Sequence, residues 1–148
     1  MRALILTAVL ALLPVAVYWQ TATHEYGFRD DYAHLRESHE EVGLDPAQVQ
    51  VLGTISDYVT GTAFVVTPVV GLVSPDHTIT PNPNEVASVF EVPLAFLMNP
   101  AFHQRHALEA EGRRREWFSM PYQDGEDLRF IWGATAGMIR NFYRFLMA

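Results

Sequence analysis

The chain has 148 residues, enough for one domain with a sizeable core, and 49% of them are hydrophobic, which excludes a chain disordered by composition. Its net charge of -7 offers no broad basic surface and argues against nucleic acid as a partner, although metal ions can still bridge an acidic protein to a phosphate ligand. The absence of cysteine excludes disulfides, thiolate zinc sites and cysteine nucleophiles.

The amino-terminal residues form a long apolar run. Residues 3–19 are almost wholly apolar, interrupted by Thr7 and Pro14, and Arg2 precedes them. A short positive start followed by an apolar run is typical of a signal peptide or a membrane anchor. The run is at the short limit for a membrane span, and Pro14 would kink it. A buried strand or helix of the domain is the alternative.

Residues 30–42 are predicted to form the first helix. Asp30 or Asp31 is a suitable N-cap, and acidic residues are favourable in a first turn. Val42 lies on the apolar stripe that we expect to face the core. Gly43 is well placed to end the helix in a left-handed conformation.

The polar face of this helix carries three glutamates, Glu37, Glu40 and Glu41, directly after Arg36. At about 3.6 residues per turn these side chains share one face, where like charges repel. A divalent cation placed among them turns the repulsion into ligation, and hard oxygen ligands suit Mg²⁺ or Mn²⁺. A solvated acidic face without metal is the alternative.

The rest of the chain shows alternating strand and turn signals. The arginines Arg113, Arg114 and Arg115 are favoured as solvated charges at a hairpin tip over contacts to phosphate. In chain order, the predicted elements are a strand at 48–52, a buried strand at 63–73 in which Pro68 implies an edge or a bulge, a loop at 74–84, a strand at 86–92, a short helix at 93–98, a hairpin pairing 106–110 with 114–120, and a closing helix at 130–147.

Several strings of this sequence resemble one known family. The run R-E-S-H-E-E-V-G-L at 36–44 resembles the second half of the Nudix box, R-E-hydrophobic-x-E-E-x-G-hydrophobic, and departs from it at Ser38. The resemblance covers roughly residues 30–148, with the motifs in the right order. The strings that resemble the coenzyme A pyrophosphatase branch are D-Y-V-T-G-T at 57–62, V-T-P-V-V-G at 66–71, N-E-V at 84–86, V-F-E-V-P-L at 89–94 and F-I-W-G-A-T-A-G-M at 130–138.

The resemblance implies a fold and a set of roles. The fold would be the Nudix-type α/β/α sandwich with a mixed sheet, of which only the second half is legible here. Glu37, Glu40 and Glu41 would be metal ligands, and one of them would also serve as a base. Arg36 would orient a neighbouring glutamate through an ion pair, and Glu85 would bind metal or take a proton from water, unless it is a simple loop carboxylate.

The front of the chain does not follow the family pattern. Counting back from Arg36, the box glycine should fall at Ala22 and the first box glutamate at Phe28, and neither matches. We therefore divide the chain into a non-matching segment, 1–28, and a Nudix domain, 29–148. A frameshift, a misassigned start or a rearrangement would each explain the junction; a membrane-directed segment and a divergent but folded first half are the alternatives.

The function implied by the resemblance is a Mg²⁺- or Mn²⁺-dependent hydrolase. It would split the pyrophosphate of coenzyme A, or of a related small nucleoside diphosphate derivative, into 3',5'-ADP and a phosphopantetheine, in the cytoplasm and without nucleic acid. The alternative is a truncated, catalytically impaired remnant that acts as a non-enzymatic or membrane-associated module, anchored through residues 3–19.

Overall fold

A computed structural model of the chain describes residues 8–12, 15–19, 39–61, 63, 65–84, 86, 88–110 and 112–148. The chain divides into two compact units, Met1–Glu91 and Val92–Ala148. Both mix strands with helices, so the fold is of the α/β class, with antiparallel sheets and a carboxyl-terminal helix as in a Nudix-type fold.

The first unit is built around a four-stranded antiparallel sheet in the order β1-β2-β6-β3. Its strands are β1 (Ala8–Leu12), β2 (Val15–Trp19), β3 (Val49–Thr54) and β6 (Val69–Val73). Strand β6 is central, and its valines are buried. Two short strands, β4 (Tyr58–Val59) and β5 (Val65–Val66), pair separately. The predicted strand at 48–52 is thus confirmed as part of β3.

A helix ends beside this sheet. Residues 39–42 are helical, and we call them α1; Val42 is 1% exposed, so the predicted core position is confirmed. Val42 forms a small core with Leu44 and Val73. Partly buried residues packed against this core are Val49, Ile79, Val86 and Val89.

The second unit is a three-stranded antiparallel sheet covered by a helix. The sheet runs β7 (Gln104–Ala110), β8 (Arg113–Asp124), β9 (Asp127–Trp132), and α3 (Gly133–Leu146) packs against β8 and β9. Helix α2 (Leu94–Leu97) confirms the predicted short helix, and the β7–β8 pair confirms the predicted hairpin. The principal buried side chains of this unit are Val92, Leu97, Met120, Ile131, Ala136, Met138, Ile139 and Phe142.

Three predicted elements differ from the structure. The single strand expected at 63–73 is divided into β5 and β6 at Pro68, because proline has no amide hydrogen for the ladder. The strand expected at 86–92 is wrong for the described residues 86 and 88–92, which lie in no strand. There the Val86 amide donates to the Asn82 carbonyl in a local turn instead, at 2.9 Å.

The closing helix was expected from residue 130 and begins at Gly133. Residues Asp127–Trp132 instead form β9, paired with β8 through the turn at Gly125, which has φ 60°. An Asp-Gly pair is a strong hairpin signal, and aromatic and β-branched residues such as Phe130 and Ile131 favour strands. Those two strand signals outweigh the apolar spacing that led us to predict a helix from residue 130.

The amino-terminal apolar run contains β1 and β2, which pair antiparallel with each other. None of the helices in the described part of the chain combines the length and apolar character needed to cross a membrane.

Candidate functional site

The acidic helix ends where the sequence predicts. Gly43 has φ 69°, and its amide donates to the carbonyl of His39 at 3.0 Å. This is the hydrogen bond of a helix that stops in a left-handed residue, a conformation open to glycine at little cost. The glycine of the E-E-x-G run is therefore the residue that terminates α1.

The two described glutamates of this helix differ in their surroundings. Glu40 is exposed, whereas Glu41 is only 7% exposed and lies beside the buried Val42. Consecutive helical residues point about 100° apart, so one carboxylate faces outward while its neighbour turns toward the protein. A carboxylate withdrawn from water is stable only with hydrogen-bond donors or cations near it. Glu41 is therefore the more constrained member of the pair.

The remaining predicted site residues are outside the described residues. These are Arg36, Glu37 and Glu85. Among the side chains that the structure does describe, no group of three or more histidines, aspartates or glutamates gathers as a metal site would require. The three-glutamate ligand set, the Arg36 ion pair and the role of Glu85 stay predictions.

A loop is bound to the end of α1 through the backbone. The Thr80 amide donates to the carbonyl of Val42, and the Asn82 amide donates to the carbonyl of Glu41, both at 2.8 Å. The last carbonyls of a helix have no partner within it, so these two bonds satisfy groups that would otherwise need water. The helix that carries Glu41 and the loop that follows Asp76 are thereby held in contact.

Asn82 also organises the loop beyond this contact. Its side-chain Oδ1 accepts the Asn84 amide at 3.1 Å, and its carbonyl accepts the Val86 amide at 2.9 Å. Sequence reasoning missed Thr80 and Asn82 as positioning residues. The available signal was an asparagine set between Pro81 and Pro83, because asparagine stabilises turns through such side-chain bonds.

The approach of the loop to the helix end is close. A Cβ added to Gly43 would lie 2.8 Å from the carbonyl oxygen of Thr80 and 3.1 Å from its amide nitrogen. Both atoms belong to the backbone and cannot move aside as a flexible side chain could. Gly43 is thus required for its backbone angle and for its lack of a side chain.

The loop begins with a second set of polar contacts. The Ser74 hydroxyl donates to the Asp76 carboxylate and thereby lowers the pKa of Asp76 below its ordinary value. His77 Nδ1 donates to the Ser74 carbonyl at 2.8 Å, and His77 Nε2 is 3.8 Å from the carboxylate of Glu91. These contacts place the His77 ring between the Ser74 carbonyl and the Glu91 carboxylate.

The arginines predicted at the hairpin tip lie on β8. Arg114 pairs with Glu116 at 2.8 Å, and Arg105 pairs with the same carboxylate, which lowers the pKa of Glu116. Arg113 and Arg115 are exposed. A solvated hairpin end, as favoured from the sequence, matches this arrangement.

Comparison with known proteins supplies a family context for this site. No family model matches the chain. Relatives named uncharacterized Nudix hydrolase NudL are similar to it: one from Enterobacter sp. (strain 638) is 40% identical over 112 residues, and one from Cronobacter sakazakii is 41% identical over 112 residues. One from Escherichia coli O7:K1 is 38% identical over 110 residues.

These matches cover more of this chain than of its relatives. Each covers 74% of this chain and 55% of the relative, so the chain spans about half the length of the curated relatives it matches.

Proposed function

The matched part of this chain belongs to the Nudix hydrolase superfamily, and on that premise we propose that the protein is a divalent-metal-dependent hydrolase of the pyrophosphate bond in coenzyme A or a related nucleoside diphosphate derivative. The substrate class rests on the strings at 57–62, 66–71, 84–86, 89–94 and 130–138, which resemble the coenzyme A pyrophosphatase branch. The relatives' names specify the superfamily alone.

The main structural support for the proposal is the way in which the carboxyl-terminal end of α1 is held in place. An R-E-x-x-E-E-x-G run is useful as a metal site only if its glutamates are held at fixed positions. Gly43 stops the helix, the Asn82 amide binds the Glu41 carbonyl at 2.8 Å, and Glu41 is 7% exposed. A solvated acidic face gives no reason to withdraw a carboxylate from water or to fix the backbone around it.

Carboxylate oxygens fit the metal that the family implies. Glu40 and Glu41 offer hard anionic oxygens of the kind that Mg²⁺ and Mn²⁺ prefer, and Glu37 would complete the set. When bound, such an ion neutralises the charge that grows on pyrophosphate oxygens and lowers the pKa of water. Glu85, or one of the helix glutamates, would accept the proton of the attacking water, and Arg36 would hold a glutamate in place.

The hydrogen bonds between α1 and the following loop support a catalytic role for Glu85. Asn84 and Val86, its neighbours in sequence, are each hydrogen-bonded to Asn82, which is bonded to Glu41. A base must be within hydrogen-bond reach of the proton that it takes. We propose Glu85 as that base or as a further ligand.

Hydrolysis of coenzyme A by the purified chain, with Mg²⁺, with Mn²⁺ and with excess chelator, tests the activity. The expected products are 3',5'-ADP and phosphopantetheine, separated by chromatography and formed only with metal. Glu40→Gln and Glu41→Gln should each lower kcat/KM by roughly 10²-fold or more. The exposed Glu109→Gln on β7 is the matched control and should leave the rate unchanged.

Two results would oppose the proposal in different ways. Absence of metal-dependent cleavage of coenzyme A and of related nucleoside diphosphates would contradict the activity. Full activity in Glu41→Gln would contradict the site while leaving the activity standing. A cooperative melt that Mn²⁺ shifts to higher temperature would count against the alternative of a non-enzymatic remnant.

A further inference from the structure

The three-stranded sheet of the second unit has an apolar outer face. Leu128, Phe130 and Trp132 alternate along β9 and are 62%, 52% and 59% exposed. Successive strand residues point to opposite faces, so these three side chains share one face. We call it the outer face.

The inner face already supplies the core of this unit. Met120 and Ile131, which oppose each other across β8 and β9, are 0% and 4% exposed, and α3 packs against both strands. The apolar row of the outer face is therefore not needed to bury the sheet against α3. Contiguous exposed apolar side chains of this kind mark interaction surfaces.

The charges at the two ends of β8 have opposite signs. The odd-numbered residues of this strand belong to the outer face, since Ser119 opposes Trp132 and Pro121 opposes Phe130. Arg113 and Arg115 thus lie on that face at one end of β8, and Glu126 follows its other end in the turn before β9. Within the described part of the chain, none of these three side chains makes an ion pair.

The charges of the inner face are satisfied differently. Arg129 pairs with Asp124 and with Asp127 at 3.2 Å, and Glu116 pairs with Arg105 and Arg114. At the centre of the outer face, the fully buried Ser119 hydroxyl lies 2.7 Å from His106 Nε2 in a hydrogen bond. The outer face therefore combines an exposed apolar row on β9, a buried polar pair on the neighbouring strands, and charges of opposite sign at its ends that form no ion pair with the described residues.

We propose that the outer face binds the outer face of a second copy of this chain, with the two β8 strands antiparallel about a two-fold axis. In a two-fold contact, the basic end of one copy meets the acidic end of the other copy, and the reverse contact forms at the opposite end of the interface. A face with one basic and one acidic end is therefore complementary to a second copy of itself. The midpoint between Arg115 and Glu126 falls near Ser119 and Pro121, whose neighbours on β9 are Trp132 and Phe130. The apolar rows on the two β9 strands would thus meet beside the axis.

The size of the face indicates a weak dimer. At about 3.3 Å per residue β8 is about 40 Å long, and a strip two to three strands wide covers about 400–550 Å² in projection. A standard interface buries about 800 Å² on each partner. We therefore expect association in the micromolar range that depends visibly on concentration.

Sedimentation equilibrium of the full chain over a concentration series tests the proposal. Arg115→Glu and Glu126→Arg should each weaken association roughly tenfold, because each places like charges in contact at both ends of the interface. The double variant R115E/E126R should restore it, because opposite charges meet again. Phe130→Glu should abolish the dimer, whereas Phe145→Glu, at a 65% exposed position on α3, is the control that should not.

Cross-linking tests the antiparallel register directly, since the chain has no cysteine of its own. Under mild oxidation, a mixture of Arg115→Cys and Glu126→Cys chains should give the mixed disulfide far faster than either chain alone gives a homodimer. Far-UV circular dichroism verifies that each variant is folded. A chain that is monomeric up to about 0.1 mM, or a double charge reversal no better than the single ones, would overturn the proposal.

Discussion

Position 43 requires glycine for two reasons, its left-handed backbone angle and the close approach of Thr80, and substitutions can separate the two contributions to stability. Gly43→Ala places a Cβ in a left-handed residue, costing about 1–2 kcal/mol, and brings it 2.8 Å from the Thr80 carbonyl. We expect the free energy of unfolding to fall by roughly 2–4 kcal/mol in urea denaturation.

Gly112→Ala is the matched control for this substitution. Gly112 has the same φ of 69°, but nothing lies within 4 Å of an added Cβ. It should lose only the conformational cost of about 1–2 kcal/mol. Equal losses at the two glycines would show that the loop does not press on the end of α1.

At the residue scale, the sequence predicts well where local physics decides the outcome. The helix end at Gly43 was predictable because it depends on local properties, the left-handed backbone angle of Gly43 and the hydrogen bond from its amide to the His39 carbonyl. The unequal burial of Glu40 and Glu41 could not be predicted, since it depends on the core around Val42. The contact between Asn82 and Glu41 joins residues far apart in sequence, and no periodicity encodes it.

At the element scale, the assignment of residues 127–132 to a strand makes a sharp prediction. Ile131 is 4% exposed and its neighbour Phe130 is 52% exposed. Ile131→Ala should lower the free energy of unfolding by about 2–5 kcal/mol, and Phe130→Ala by less than about 1 kcal/mol. Urea unfolding of dilute protein measures both without a contribution from association; a larger loss at Phe130 would contradict the strand.

The helix prediction failed at residues 130–132 for a physical reason. Apolar spacing over a few residues fits several elements, and tertiary partners then choose among them. Residues 130 and 131 continue the apolar pattern of α3, yet pairing of Phe130 with Pro121 places them in β9. The hairpin of β7 and β8 was predictable because its turn at Gly112 is encoded locally.

The pair of strands β7 and β8 also contains a pH-sensitive contact. The hydrogen bond from Arg105 holds the pKa of Glu116 below its ordinary value of 4.5. A lowered pKa in the folded state stabilises the fold above pH 4.5, and this contribution is lost as the pH falls through the folded-state pKa. Between pH 7 and pH 3, the free energy of unfolding should therefore fall less steeply in Glu116→Gln than in the unmodified chain. The same pH dependence in both proteins would exclude the contact.

At the scale of the whole molecule, the net charge of -7 makes cation effects ambiguous. Any salt screens the self-repulsion of an acidic chain and so favours its compact state. A specific ion stabilises differently, because its effect saturates with concentration and depends on particular ligands. The two mechanisms predict different responses to Mn²⁺ and to sodium chloride.

Thermal unfolding with Mn²⁺ separates these mechanisms. At about 100 times its dissociation constant, an ion bound to the folded chain adds about 2.7 kcal/mol, which raises the Tm by about 5–10 °C for a chain of this size. Sodium chloride at equal ionic strength should shift the Tm much less. Glu41→Gln should remove the Mn²⁺ effect and Glu109→Gln should retain it, because only Glu41 is on α1. Equal shifts with both salts would show that the acidic helix is a solvated face, since screening alone would then account for the stabilisation.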